Sequence, residues 1–180
     1  MLSGRSKGHA DGFEELFYNE LRDIYWAENA LVRALENLAD KAESEELVNA
    51  LEDHIDVTED QLDRLEEVFD IIGEPVSGKK CQAMAGLIKE GKELTEDLEE
   101  GPVRDAAIIA ACQKVEHYEI ATYGTLRTYA SILGYEEAED LLQETLDEEK
   151  EADELLSELS DEINIDVLVE DGEKEGEYEY

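Results

Sequence analysis

Acidic and histidine side chains interrupt the apolar faces of four segments of this sequence. Each segment repeats apolar residues at three- and four-residue steps, which is the spacing of one face of an α-helix. Glu28, for example, stands between Ile24 and Leu31 on such a face. The residues that break the pattern in this way are Glu28, His54, Glu116, Glu119, Glu149 and Asp153. Carboxylate oxygens together with an imidazole suit iron or manganese better than structural zinc or calcium. These positions are therefore candidate metal ligands.

The positions of these residues along the helices favour one common site. If a first turn is centred near residues 41–42, antiparallel pairing of two helices places Glu28 beside His54. A second turn at 134–135 would pair two later helices in the same antiparallel way. This pairing places Glu116 at the depth of Asp153 and Glu119 at the depth of Glu149. The sequence therefore predicts that five carboxylates and one imidazole meet in one layer.

Such a layer needs a compensating charge. A buried, unpaired carboxylate costs several kcal/mol, and converging carboxylates raise one another's pKa values. A divalent or trivalent cation removes both costs. Protonated carboxyls, a hydrated polar core, and acids that face a dimer seam are alternatives that stay open. Chance is a fourth alternative, because 51 of the 180 residues are Asp or Glu.

Several neighbouring residues have two interpretations. His54 is either a ligand or a core histidine that bonds to Gln61 or Thr58. Tyr123 either donates a hydrogen bond to a ligand carboxylate or is a core aromatic residue. Asp153 has a shorter reach than a glutamate. Cys112 fits a small core residue better than a ligand.

Local signals place the helices that would position these residues. Asp11 is a candidate N-cap of the first helix and Ser44 of the second. Gly73 ends the second helix, Pro102 opens the third main helix, and Gly134 ends it. Between Gly73 and Gly101 lies a connector with a helical pattern of its own. Two short-linked pairs joined by a long connection predict an all-α, ferritin-like four-helix bundle with a helical crossover between helices 2 and 3.

The predicted domain organisation is simple. Residues 1–10 form a flexible leader, residues 11–160 the bundle, and residues 161–180 an acidic, disordered tail. Cys81 and Cys112 are too few for a disulfide framework and are interpreted as reduced thiols.

The charge balance excludes some partners. The formal net charge is −36, so neither nucleic acid nor an anionic membrane surface is an expected partner. No stretch approaches the roughly 18 apolar residues of a membrane span. We expect a cytoplasmic protein, and the excess of acids is typical of a cytoplasm with high salt, where screening weakens repulsion.

Four stretches resemble the YciE/YciF-type ferritin-like family. They are LRDIYWAENAL (21–31), GKKCQAMAGLI (78–88), KVEHYEIATYGTLR (114–127) and ETLDEEKEADELL (144–156). The resemblance implies a stress-associated homodimer with a dinuclear iron or manganese centre. By analogy with ferritin-like proteins, it assigns the metals to carboxylates such as Glu28, Glu116 and Glu149.

The sequence departs from the usual ferritin-like ligand pattern. That pattern has two E-x-x-H motifs, but Leu51 stands three residues before His54, and the fourth helix carries Glu149 and Asp153 without a histidine. Two functions follow as hypotheses. One is a metal-dependent oxidoreductase that oxidises Fe²⁺ or consumes peroxide. The other is a non-catalytic, dimeric stress or interaction bundle.

Overall fold

The described part of the chain, residues 9–176, folds into five helices. The computed structural model describes the backbone of residues 9–176 and the side chains of residues 12–165 and 167. In chain order the helices are α1 (His9–Ala39), α2 (Glu45–Ile72), α3 (Gln82–Glu96), α4 (Pro102–Leu133) and α5 (Glu136–Gly176). Four of them, α1, α2, α4 and α5, form the bundle, and α3 is the crossover. The predicted all-α fold and the predicted crossover are both confirmed.

The turns of the bundle follow the predicted local signals. Ser44 caps α2, because its hydroxyl accepts a hydrogen bond from the Leu47 backbone N–H at 3.4 Å. Gly73 and Gly134 end α2 and α4 in left-handed conformations, with φ of 72° and 82°. Only glycine adopts this conformation without strain. Pro102 occupies the first turn of α4, where its missing N–H has no helical partner to lose.

Two boundaries differ from the sequence prediction. The first helix begins at His9, so Asp11 lies inside it and is not its N-cap. The last helix continues to Gly176, and Ile163 still packs in the core, because its apolar side chain continues the inward stripe of α5 past residue 160. The first eight residues of the predicted leader and residues 177–180 of the predicted tail lie outside the described part of the chain.

The crossover is attached to the bundle by specific contacts. The Lys79 backbone N–H donates to the Arg22 carbonyl at 2.8 Å. Gly78 lies so close to Trp26 that a β-carbon there would be 3.3 Å from Trp26 Cβ. The Cys81 sulfur caps α3 by accepting from the Met84 N–H at 3.3 Å. Trp26 therefore packs against the start of the connection that carries the crossover.

The core is apolar at both ends of the bundle and polar near its middle. Phe17, Leu21, Leu35, Leu65 and Leu126 are each at most 2% exposed. Cys81 and Cys112 are buried free thiols, as predicted. Within the described residues, no helix is both long enough and apolar enough to cross a membrane.

Candidate metal centre

Five of the six predicted ligands lie together in the interior. Glu28, Glu116, Glu119 and Glu149 are each at most 1% exposed, which is rare for glutamate. The His54 side chain is 12% exposed. All four bundle helices contribute, with Glu28 on α1, His54 on α2, Glu116 and Glu119 on α4, and Glu149 on α5. We call these five residues the carboxylate layer.

Four members of the carboxylate layer are close enough to share an ion. One ligand atom from each of His54, Glu116, Glu119 and Glu149 can be chosen so that all lie within 4.8 Å of one another. His54 Nε2 is 3.4 Å from Glu116 Oε1 and 3.8 Å from Glu149 Oε2. Glu116 and Glu119 are three residues apart on α4, so they project from the same face.

Glu28 completes the layer through Tyr123. The Tyr123 hydroxyl donates a 2.6 Å hydrogen bond to Glu28 Oε1, and both side chains are fully buried. Of the two interpretations of Tyr123, the structure supports the one in which it orients a carboxylate. The negative charge of Glu28 also raises the pKa values of Glu116, Glu119 and Glu149, so its carboxyl is close to all three.

Burial raises the pKa of all four carboxyls of the layer above the ordinary value for glutamate. It raises the pKa of Glu116 to about 7, and nearby Glu28 and Asp153 add to the shift. The pKa values of Glu119 and Glu149 are well above the ordinary value, first because of burial and then because of neighbouring carboxyls. Burial raises the pKa of Glu28 as well, although the Tyr123 hydrogen bond opposes it. The metal-free layer therefore favours protons over negative charge.

The layer also leaves buried polar atoms without partners. Within the described residues, the atoms that lack a hydrogen-bond partner include Glu28 Oε2, His54 Nε2, Glu116 Oε2 and both carboxyl oxygens of Glu119 and of Glu149. A buried polar atom without a partner costs about 1–3 kcal/mol, and more when it is charged. A cation bound among these oxygens would satisfy them, so the donor set fits a metal ion.

The sixth predicted ligand is not part of this group. Asp153 lies one helical turn after Glu149, and its Oδ1 lies 3.5 Å from Nε2 of the exposed His117. The extra turn and the short side chain keep its carboxyl out of the four-residue group. It still raises the pKa of Glu116, so it lies at the border of the layer.

Neither Thr58 nor Gln61 donates a side-chain hydrogen bond to the His54 imidazole in the described structure. Thr58 donates to the backbone carbonyl of His54 at 2.8 Å, and Gln61 donates to Glu148 at 3.1 Å. The imidazole Nε2 faces Glu116 and Glu149 instead. The structure therefore favours His54 as a ligand over a core histidine that bonds to Gln61 or Thr58.

A neighbouring carboxylate shows how the protein satisfies a half-buried acid that is not in the layer. Arg64 donates two hydrogen bonds to Glu148, at 2.8 and 2.9 Å, and a third to Thr145 at 2.7 Å. This fork neutralises Glu148, although the next residue, Glu149, has no such cation. The fork could not be predicted from the sequence, because the two residues are 84 positions apart and neither gives a local signal.

A recess connects the layer to the surface. It lies mainly between α2 and α5, has a volume of about 200 Å³, and reaches His54 and Glu116 at its inner end. Apolar side chains, including Leu35, Leu51 and Leu156, form most of its wall. A small neutral molecule can enter such a recess more readily than an anion.

Comparison with known proteins identifies the family. The sequence pattern of the family described as "Domain of unknown function (DUF892)" matches residues 12–167. The chain belongs to this family. It is 47% identical to Protein YciF of Escherichia coli over 148 residues, which cover 82% of this chain and 89% of YciF.

Solved structures of the DUF892 relatives share the fold. The E. coli stress protein YciF superposes with a TM-score of 0.81 at 46% identity, covering 84% of this chain and 96% of YciF. YcfI of Rhodopseudomonas palustris gives 0.79 at 39% identity and covers 87% and 98%. The predicted resemblance to the YciF-type family is thus confirmed.

Proposed function

We propose that this protein binds redox-active metal, iron or manganese, in the carboxylate layer. The observation that carries the proposal is the convergence of four buried carboxyls and one imidazole, in which six carboxyl oxygens and His54 Nε2 lack hydrogen-bond partners. Oxygen-rich sets with an imidazole bind these metals. The relative YciF of E. coli is called a stress protein, and we extend a role in stress responses to this chain.

Charge balance supports two ions. Four ionised carboxylates and a neutral imidazole carry a charge of −4, which two divalent cations neutralise. One divalent cation would leave −2 in a buried site, and protons on the remaining carboxyls would then have to make up the difference. A dinuclear centre is therefore the state in which all five residues serve as ligands without retained protons.

The ligand set is poorer in nitrogen than the usual ferritin-like set. The common pattern supplies two histidines, whereas here Leu51 and Ala152 occupy the positions three residues before His54 and three after Glu149. Carboxylates favour the higher oxidation state of a bound metal more strongly than neutral imidazoles do, because they carry charge. The protein would thus hold oxidised iron or manganese firmly.

The surrounding residues would support oxidation chemistry. Bound iron or manganese supplies the electrons for reduction of dioxygen or peroxide. Tyr123 holds the carboxyl of Glu28 in place through the 2.6 Å bond. The apolar wall of the recess limits the water that reaches His54, and Arg64 keeps Glu148 away from the ligand group. Ferroxidase or peroxide-consuming activity is the reaction class that this arrangement suits.

Two adjacent glutamates provide the decisive test. We would purify the protein in high salt without a metal-binding tag and titrate it anaerobically with Fe²⁺ and with Mn²⁺. Wild type is expected to bind two ions per chain. Glu149→Gln removes a charged ligand, and this variant should lose at least one ion. Glu148→Gln, at the preceding residue, should retain both.

The same samples then test the activity. Oxygen or peroxide is added to the Fe²⁺-loaded protein, and Fe³⁺ formation is followed by absorbance. Oxidation faster than in the Glu149→Gln variant supports the proposal. Failure of the wild type to bind either metal, or equal binding by the two variants, would refute it.

A non-catalytic bundle is the second candidate. It is favoured by the raised pKa values, because a layer that keeps its protons can stay buried without metal. In this case the melting temperature would be the same with and without metal. The homodimer predicted from the sequence belongs to both candidates and remains a prediction that sedimentation would check.

A further inference from the structure

A second cavity lies on the other side of the core, under the crossover helix. It has a volume of about 440 Å³ and is enclosed by α1, α3 and α4. Cavities of roughly 300–1,000 Å³ commonly hold small-molecule ligands. Its wall is largely aliphatic and includes Leu31, Ala34, Leu38, Leu87, Ile88 and Val115. We call it the crossover cavity.

Two lysines lie at one end of the crossover cavity. Lys41 lies in the turn that follows α1 and the exposed Lys92 is on α3. Both line the cavity together with one acid, Glu96. The Lys41 ammonium donates a 3.1 Å hydrogen bond to the hydroxyl of Thr95, which in turn bonds the Lys92 carbonyl at 3.3 Å. Thr95 thereby brings Lys41 next to the helical turn that carries Lys92.

Lys41 and Lys92 belong to the lysines that have no carboxylate partner among the described residues, as do Lys79 and Lys80. The chain has 51 acidic residues and 15 basic ones. Other lysines form ion pairs, and these pairs are Lys89 with Glu93, Lys114 with Glu90, and Lys150 with Asp147. Among the residues that the structure describes, neither Lys41 nor Lys92 pairs with a carboxylate. The lining of the cavity is therefore locally cationic, with two lysines against Glu96, in a chain of net charge −36.

We propose that the crossover cavity binds a small amphipathic acid, specifically an alkyl carboxylate of medium chain length. The aliphatic wall would bury the hydrocarbon chain. The ammonium groups of Lys41 and Lys92 would bind the carboxylate through charge-assisted hydrogen bonds. An alkylammonium ligand would be repelled by the same two groups, and a neutral alcohol would lack their charge.

The site is separate from the metal chemistry. Leu35 and Cys112 line both the crossover cavity and the recess at the carboxylate layer, so the two spaces lie on opposite sides of these two side chains. Among the described residues that line the crossover cavity, none is a member of the carboxylate layer. The inference thus goes beyond the proposed function, and metal-free protein can be used to test it.

Decanoate is a suitable probe because its chain is long enough to fill an aliphatic cavity. Binding would be measured by calorimetry below its micelle concentration and at one fixed ionic strength. Decanoate is expected to saturate at one molecule per chain, and octanoate, with two fewer methylenes, to bind roughly tenfold more weakly.

Charge-matched variants locate the head group. The double variant Lys41→Met/Lys92→Met keeps the apolar part of each side chain and should weaken decanoate binding by about tenfold or more. Lys89→Met/Lys150→Met makes the same change in net charge on exposed lysines outside the cavity, and its affinity should stay within about twofold of wild type.

A cavity-filling variant locates the hydrocarbon chain. Ala34→Phe adds a ring to the wall and should abolish binding, and the melting temperature would show that the variant is folded. Equal affinity for decanol and decanoate, or equal loss in the two double variants, would overturn the proposal. It would also be overturned if decanoate did not bind and Ala34→Phe converted a dimer to a monomer, because a second copy would then be the occupant.

Discussion

Buried carboxyls occur in two regions of this molecule, and they are treated in opposite ways. Near one end of the bundle, Asp105 is 2% exposed, and its two oxygens accept hydrogen bonds from the backbone N–H groups of Glu43 and Ser44 at 2.9 and 2.8 Å. In the carboxylate layer, Glu119 and Glu149 are at least as buried, but their oxygens lack such donors.

This difference shows that burial alone does not identify a functional acid. Asp105 stabilises the turn that leads into α2, because it accepts hydrogen bonds from the two backbone N–H groups just before the helix. The layer instead combines burial, like charge and missing donors, which are costly unless a ligand compensates for them. The comparison therefore predicts that changes in the two regions will have effects of opposite sign.

The largest expected effect is a dependence of metal-free stability on pH. The pKa of Glu116 is about 7 in the folded protein against 4.5 for an exposed glutamate, so folding favours its proton. Its contribution to stability is complete below pH 4.5 and is lost as the pH rises to about 7. From this shift, the loss is on the order of 3 kcal/mol.

Chemical denaturation at several pH values would measure this loss. Glu116→Gln carries no titrating proton and should show a flatter curve than wild type, and its free energy of unfolding should be higher at pH 8. A matched exposed change, Glu59→Gln, accounts for the general repulsion in so acidic a chain. If Glu116→Gln and Glu59→Gln gave the same slope, the carboxylate layer would not be the source of the effect.

The next largest effect is expected in the other region. Asp105→Asn replaces a charged acceptor by an amide whose NH₂ group faces a backbone N–H. We expect the free energy of unfolding to fall by about 2 kcal/mol, with unchanged metal binding. Asp140→Asn, on the exposed side of α5, should change it by less than about 0.5 kcal/mol. A stabilised Asp105→Asn variant would remove the contrast between the regions.

The smallest effect on stability is expected from loss of the hydrogen bond between Tyr123 and Glu28. Tyr123→Phe removes the 2.6 Å hydrogen bond to Glu28 and should lower stability by about 1 kcal/mol. It should also weaken metal binding several-fold, since Glu28 loses its orientation. The control is Tyr129→Phe, whose ring packs on Phe13. Metal affinity identical in both variants would mean that Tyr123 serves only the core.

The sequence predicts the helices and the depth of the layer well. Ser44, Gly73, Pro102 and Gly134 act locally, so their patterns place the turns, and the turns fix which residues face each other at mid-bundle. The predicted start of α1 at Asp11 was wrong. An aspartate at the beginning of a helical pattern can be the N-cap or can lie within the first turn. Asp11 shows this ambiguity.

Other features of the candidate site depend on contacts between distant residues. Asp105 caps a turn about 60 residues earlier in the chain, and Arg64 neutralises Glu148. Neither pairing has a periodic signal. Asp153 matches the depth of Glu116 by counting, but its carboxyl lies outside the four-residue group, because the side chain is short and its Oδ1 lies near His117.

The division of ligands between the two halves of the chain has a consequence for biosynthesis. The hairpin of α1 and α2 supplies Glu28 and His54, while the hairpin of α4 and α5 supplies the other three glutamates. Neither half alone has the full ligand set, and the last glutamate emerges late from the ribosome. For the proposed metal centre, loading would therefore follow the docking of the second hairpin on the first.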